Sequence, residues 1–392
     1  MMTRLLLLLS APLTLLSLKA PPAGELLGLT APKVVHLGEG PTNLDLHPSG
    51  TGTLKAVMLF ARFADGDQEE TMQSLHEILV PGAVAFYEAS SYGQMTLEVT
   101  PHFEWYPMQG PSTEPGYDCS KHDTHKRYVQ EVVTAADGDV DFAGYDLIYV
   151  VANKAPGVFN SPTFNAHDSG GFRADGNEIR HAVTFGNDVR GADWGWQTLV
   201  HETGHVLGLP DLYSYAPEDE AYKSLHLHTG SWEPMGFQKH SRHYFAWHKR
   251  KLGWLDDEDF VVVTKGERSV ELAHIASKDG LKAVVLPLSR TEAYVAEVRH
   301  LSDEHSEPGV LVYRVSLTTR SGRGPIQVMP ATPDDDETHP KLARKYIALY
   351  DALYRAGATF EDAEAGVRVD VKAGTAGTAG AFRLDVTRVG DR

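Results

Sequence analysis

The chain of 392 residues has a single cysteine, Cys119. An internal disulfide is therefore excluded, and with it a fold built on disulfides, although export is not. Positive charge is in deficit: 36 Lys and Arg stand against 53 Asp and Glu, a formal net charge of −17. Such a chain repels phosphate backbones, which argues against nucleic acid as a partner. Beyond residue 20 no stretch is apolar enough to cross a bilayer, so no stable membrane span is expected in the mature chain. The composition, 42% hydrophobic and 23% charged, is that of a globular protein and not of a disordered or collagen-like one. At roughly 150 residues per domain, the length points to two or three domains.

What is present begins with an export signal. Met1-Met2-Thr3-Arg4 places one positive charge ahead of the apolar run from Leu5 to Leu18. That run is shorter than the ~20 residues of a spanning helix and contains Pro12. This is the layout of a secretory signal peptide, with an N-terminal anchor as the alternative. We therefore expect a signal peptide over residues 1–20 and a secreted, extracellular protein. Residues 21–53, rich in Pro, Gly and Leu without periodicity, read as a linker or short pro-segment.

From 54 to 257 strand-like runs (54–63, 95–99, 145–151) mix with helical spacing (69–90, 122–136, 193–208). The stretch 153–192 is glycine-rich and loop-like. After Trp254-Leu255-Asp256-Asp257 the texture changes to short strand-like runs at 261–263, 283–286, 294–298, 310–315, 367–371 and 382–386, interrupted by a helical insert near 340–355. The expected fold is α+β, a mixed sheet with helices over 54–257, followed by an all-β sandwich-like domain over 258–392.

The decisive stretch is His201-Glu202-Thr203-Gly204-His205-Val206-Leu207-Gly208-Leu209-Pro210-Asp211. Residues four apart share one face of a helix, so His201 and His205 can each aim a ring nitrogen at one ion. Glu202 projects beside them, placed to take a proton from a metal-activated water. Gly208 permits a sharp turn, which can return Asp211 as a third ligand. Three protein ligands and one open position describe a catalytic zinc site. Imidazole and carboxylate without thiolate favour Zn²⁺ over softer-metal chemistry.

This segment is similar to the metzincin motif H-E-x-x-H-x-x-G-x-x-H/D, with Asp in the last place. More narrowly, the chain resembles the immune inhibitor A family of secreted bacterial zinc metallopeptidases. The likeness is carried also by the segments from Phe86 to Leu97, Gly208 to Tyr213, Ala246 to Trp254 and Gly309 to Val315, and covers about residues 54 to 390. It implies a zinc-dependent endopeptidase acting on proteins or peptides, with Glu202 as general base and zinc on His201, His205 and Asp211. It also implies a Met-turn at Ser231-Trp232-Glu233-Pro234-Met235-Gly236, in which Met235 packs beneath the metal. Some metzincins carry a Tyr two residues after that Met. Here Phe237 stands there without a donor, leaving zinc, Tyr213, His243 or Tyr244 to stabilise the oxyanion.

Other features rank lower. His226 and His228 on one side of a strand suggest a second metal, against the plainer reading of a solvent-facing loop. His248-Lys249-Arg250-Lys251 reads as the solvated face of a helix. Cys119 reads as a free thiol. Asp65, Asp67 and the acidic stretch 334–337 offer oxygen ligands for Ca²⁺, without EF-hand spacing. Three rival functions remain at this level. One is a cell-wall amidase or other zinc hydrolase on the same scaffold, and another a non-catalytic zinc-containing surface-binding protein. The third is a thermolysin-like site drawing on Glu218 or Glu220.

Overall fold

Alternation between two apolar faces builds the first sheet. The computed structural model describes residues 25–31, 37–166, 169–191, 194–215, 225–238, 243–300, 307–332, 349, 352–375 and 380–390. A hairpin of β1 (Glu25–Leu26) and β2 (Leu29–Thr30) precedes the long strand β3 (Gly52–Arg62). β3 sends Leu54, Ala56, Met58 and Phe60 into one core and Val57, Leu59 and Ala61 into another, as a strand covered on both faces does. Next come α1 (Met72–Ser90), β4 (Met95–Pro107), α2 (His122–Ala136), β5 (Leu147–Ala152) and β6 (Thr163–Asn165). A small hairpin of β7 (Phe172–Ala174) and β8 (Asn177–Ile179) leads into β9 (His181–Phe185). The sheet order is β4-β3-β5-β9-β6, parallel throughout except for the antiparallel edge strand β6.

α1 covers one face through Leu75, Leu79, Ala83, Phe86 and Tyr87. That spacing puts them on one stripe of the helix. Its first turn is capped by Thr71, whose hydroxyl accepts from the Ser74 amide at 3.3 Å. α2 covers the other face with Tyr128, Val129, Val132, Val133 and Ala136. β9 corrects the loop expected over 153–192. All five of its residues are buried, but His181 and Thr184 interrupt the apolar run that marks a central strand.

The remaining elements are α3 (Gly195–Val206), α4 (Ala246–Lys251), β10 (Phe260–Val262), β11 (Gly266–Leu272), β12 (Ala283–Pro287), β13 (Glu292–Arg299), β14 (Gly309–Ser316), β15 (Ile326–Met329), β16 (Thr359–Asp362), β17 (Val367–Ala373) and β18 (Phe382–Arg388). They include two sheets, β10-β12-β13-β14-β15 and β11-β18-β17-β16. Val284, Leu286, Ala296 and Val312 pack with Leu272, Val369 and Leu384 of the opposite sheet. Their alternate neighbours Val285, Val295, Leu311 and Tyr313 turn the other way, into the core that holds α1 and α3. The apolar core therefore crosses residue 257 without a break.

The expected signal peptide, Glu218, Glu220, the acidic stretch 334–337 and most of the 340–355 insert lie outside the described residues. No helix among the described residues is long and apolar enough to cross a membrane.

Two expectations change. Where it is described, the 21–53 segment is not a loose linker. Leu26, Leu27 and Leu29 are buried in the shared core. Trp247 Nε1 donates to the Glu39 carbonyl at 3.2 Å, and Trp254 Nε1 to that of Gly50 at 2.6 Å. Nor is α4 a solvated charge run, because His248 and Lys249 are both 0% exposed. The Lys249 ammonium lies 4.1 Å from the Tyr92 ring centroid and 3.0 Å from its hydroxyl. His248 sits between two carboxylates, with Nδ1 2.6 Å from Glu233 Oε1 and Nε2 3.0 Å from Glu39 Oε2. Burial alone would lower its pKa, but Glu39 and Glu233 push it up to about 9.

A stability prediction follows from the sign of that shift. Unfolded, His248 titrates at about 6.5. Its contribution is complete below that value and is lost as pH rises through about 9. Burial lowers the neighbouring Lys251 to about 8 against the opposing pull of Glu39, so Lys251 acts in the opposite sense. A comparison with His248→Gln isolates the imidazole. The difference in melting midpoint between wild type and variant should shrink from pH 6.5 to 9.5, and a constant difference would refute the shift.

Candidate metal centre

The centre is built on the last turns of α3. His201 and His205 stand one turn apart with ring centroids 4.9 Å from each other. The helix stops at Val206, and Gly208 takes a φ of +87°, which L side chains rarely adopt. A Cβ there would also meet the His47 ring at 3.2 Å. The turn brings Asp211 back over the helix, its Oδ1 3.1 Å from His201 Nε2 and 3.2 Å from His205 Nε2. All three side chains are buried, and their ligand atoms lie within 4.8 Å of one another.

The donor set fits a cation. His201 Nδ1 lies 2.8 Å from the Pro234 carbonyl, and His205 Nδ1 2.8 Å from that of Leu209. A carbonyl can only accept, so each Nδ1 carries a proton, and the neutral form of each imidazole presents its lone pair at Nε2. Asp211 Oδ1 is buried with no hydrogen-bond donor. Three lone pairs thus converge on one point, an arrangement that costs free energy unless a positive charge shares it. The electrostatics make the same demand. Burial would lower both imidazole pKa values, but Asp211 and Glu202 outweigh it, raising His201 and taking His205 up to about 9, so that bound protons supply the positive charge wherever a cation does not. Burial likewise pushes against ionised Asp211, yet the imidazoles hold it well below the usual carboxylate range.

Glu202 lies beside the cluster without joining it, Oε1 being 4.0 Å from His201 Nε2. Its carboxylate is oriented by Thr163 of the edge strand β6. The Thr163 hydroxyl lies 2.8 Å from both Glu202 Oε2 and the Glu202 carbonyl. Burial pushes the Glu202 pKa up, with His201, His205 and Thr163 opposing. On the same strand, Asn165 Nδ2 donates to the His205 carbonyl at 3.1 Å.

The turn around Met235 lies directly under the helix. A Cβ on Gly204 would come within 2.5 Å of Met235 Sδ, so a larger residue there would displace the Met235 side chain from its place under the helix. Asp211 is braced from the far half of the chain. Its amide donates to Ser321 Oγ at 2.9 Å, its carbonyl accepts from the Gly322 amide at 3.0 Å, and Oδ2 accepts from the Tyr215 hydroxyl. Thr163, Tyr215 and Ser321 are functional partners that sequence reasoning missed. Thr163 and Ser321 reach the site only through the fold, whereas Tyr215 lies four residues beyond Asp211 and belongs to no motif that would single it out.

A cleft of about 690 Å³ opens onto the cluster, lined by Pro162, Thr163, Trp194, Tyr213, His226 and Phe237 among others. Of the side chains considered for the oxyanion, Tyr213 lines it, its ring 6.1 Å from that of His201. Tyr244 does not; its hydroxyl donates to the Val200 carbonyl at 3.1 Å, inside the core. His243 packs against Lys249, with Nδ1 3.4 Å from Nζ. The residues from Leu225 to Gly230 form a turn, as the plainer reading of a loop expects and not the strand of the second-metal reading, but His226 turns into the cleft and not to solvent. His226 faces the cleft beside Phe237, where burial lowers its pKa to about 4, while His228 packs at Gly324. Among the described residues, His201, His205 and Asp211 are the group placed to hold an ion, and His226 and His228 do not form a second. The Ca²⁺ expectation gains no support. Asp65 accepts from the Ser112 amide and hydroxyl, and Asp67 from the Glu69 amide. Cys119 does not line the cleft, and burial pushes its thiol up to about 11.

No known protein-family model matches the chain, and no curated protein does. Among solved structures the chain is similar to metalloproteinase-II from Bacteroides fragilis, at 13% identity and a TM-score of 0.29. The match covers 53% of this chain and 54% of that one, about half the length of each. That protein is a metalloproteinase, which does not single out immune inhibitor A.

Proposed function

We propose that the protein is a zinc-dependent endopeptidase of the immune inhibitor A type. The observation that carries this reading is the convergence of the ligand atoms of His201, His205 and Asp211 beside the Glu202 carboxylate, all four lining one cleft. Two imidazoles and a carboxylate suit zinc, and three protein ligands leave a position open for chemistry. When bound, zinc polarises the scissile carbonyl and lowers the pKa of a coordinated water. Glu202 then accepts the proton of the attacking water and returns it to the leaving amine. Thr163 orients Oε2, which leaves Oε1 on the His201 side for that transfer. β6 is the sheet edge along the cleft, so it can pair with an extended peptide backbone. This favours a peptide over a glycan substrate. Residues 54–257 would carry the chemistry and 258–392 would support it, chiefly through Ser321 and Gly322. Export rests on the pattern from Met1 to Ala20 and belongs to the same proposal.

The test is metal dependence. Treatment with 1,10-phenanthroline should abolish hydrolysis of a protein substrate at neutral pH, and added Zn²⁺ should restore it. Serine- and thiol-directed reagents should have little effect, because Cys119 does not line the cleft and burial pushes its thiol up to about 11. Chelator-resistant hydrolysis, or inactivation through Cys119, would overturn the catalytic class. Cleavage of peptidoglycan in place of peptides would move the protein to the amidases.

A further inference from the structure

We propose that Glu39, His248 and Glu233 are positioning residues of the metal centre, and that residues 37–50 are a retained part of the active protein, not a removable pro-segment. The proposal rests on the metal-centre reading of His201, His205 and Asp211.

The three side chains form a buried chain, each 0% exposed, from the N-terminal segment to the Met235 turn. At its far end both Glu233 oxygens are engaged: Oε1 with His248 Nδ1 at 2.6 Å, and Oε2 with the Met235 amide at 2.5 Å. The Glu233 carbonyl also accepts from the amides of Gly236 and Phe237, at 3.0 and 3.2 Å. One residue therefore fixes the whole turn. The turn in turn reaches the ligands at three places. The Pro234 carbonyl accepts a hydrogen bond from His201 Nδ1, Met235 Sδ packs under Gly204, and the Met235 carbonyl accepts from the Leu212 amide at 2.9 Å, next to Asp211. A partner that fixes the tautomer and orientation of a ligating histidine contributes directly to metal affinity.

At the near end Glu39 closes the chain on His248 Nε2, and its carbonyl accepts from the Trp247 indole N–H. The same segment touches the site twice more. Leu37 lines the cleft, and His47 Nδ1 lies 2.9 Å from the carbonyl of Val206, the residue after His205. Removing residues 37–50 would leave the buried His248 without its Nε2 partner. It would also strip a carboxylate from a buried charge group, which is strongly unfavourable.

The experiment measures zinc affinity of the full chain by competition with a chromogenic chelator, well below the melting temperature. Glu39→Gln keeps the size of the side chain and removes its charge, and zinc should bind ~10–100-fold more weakly, as for other partners that orient ligands. Glu39→Asp should recover part of the loss. Val369→Ala, in the remote sandwich core, should lower the melting temperature and leave zinc affinity unchanged, which separates positioning from general stability. Equal affinity in wild type and Glu39→Gln would overturn the proposal. Wild type that binds no zinc at all would overturn the metal reading itself. N-terminal sequencing of the active, zinc-loaded protein decides the matter even if Glu39→Gln does not fold. The chain should begin at or before Leu37, and a start beyond Glu39 would overturn the proposal.

Discussion

Glu202→Ala should abolish hydrolysis while leaving about one zinc per chain. Loss of a general base costs on the order of 10²–10⁴-fold in rate. Metal retention is expected because Glu202 stands 4.0 Å from His201 Nε2 and is not among the three converging ligands. The substitution is also mild for the fold. The Thr163 hydroxyl that orients the carboxylate keeps the Glu202 carbonyl as an acceptor at 2.8 Å, so no buried donor is orphaned. Steady-state rates on a peptide substrate and zinc content by mass spectrometry check both halves. Undiminished turnover would sink the mechanism. Zinc lost together with activity would make Glu202 a structural necessity and not the base.

The ligand cluster was legible because its geometry is local. Helical spacing puts His201 and His205 on one face, and a single glycine at positive φ returns Asp211 within a few residues. Met235 was legible only through resemblance, since nothing in its own neighbourhood distinguishes it from any core methionine. The supporting shell was not legible. Thr163 and Ser321 join the site from 39 and 110 residues away, and neither belongs to a pattern that periodicity can detect. The reading of α4 went wrong for a more general reason. Four basic residues in a row are normally solvated, but here Glu39, 209 residues away along the chain, supplies the charge that lets His248 be buried. Long-range electrostatic pairing overrode a local rule. The same applies to residues 37–50, whose lack of periodicity reflects indole and carbonyl contacts in place of an amphipathic face. The strand runs from 283 to 315 were clear, yet their pattern did not tell that both faces are covered, one by a sheet and one by the helical half.

Asp211→Ala should remove zinc almost completely at concentrations that saturate the wild type. Asp211 supplies the only carboxylate among the converging groups, and its negative charge offsets the burial of the cation. Two imidazoles alone form an incomplete set for a three-ligand site. The loss should therefore exceed the ~10–100-fold typical of partners that merely orient ligands. Ser321→Ala offers the graded comparison. It removes the hydroxyl that accepts from the Asp211 amide but leaves the carboxylate, and its effect should fall within that smaller range. Glu218→Ala and Glu220→Ala should retain zinc. Chelator competition on the four variants orders them. Equal retention in Asp211→Ala and the two glutamate variants would reject Asp211 as a ligand and return the third position to an acidic residue further along the chain.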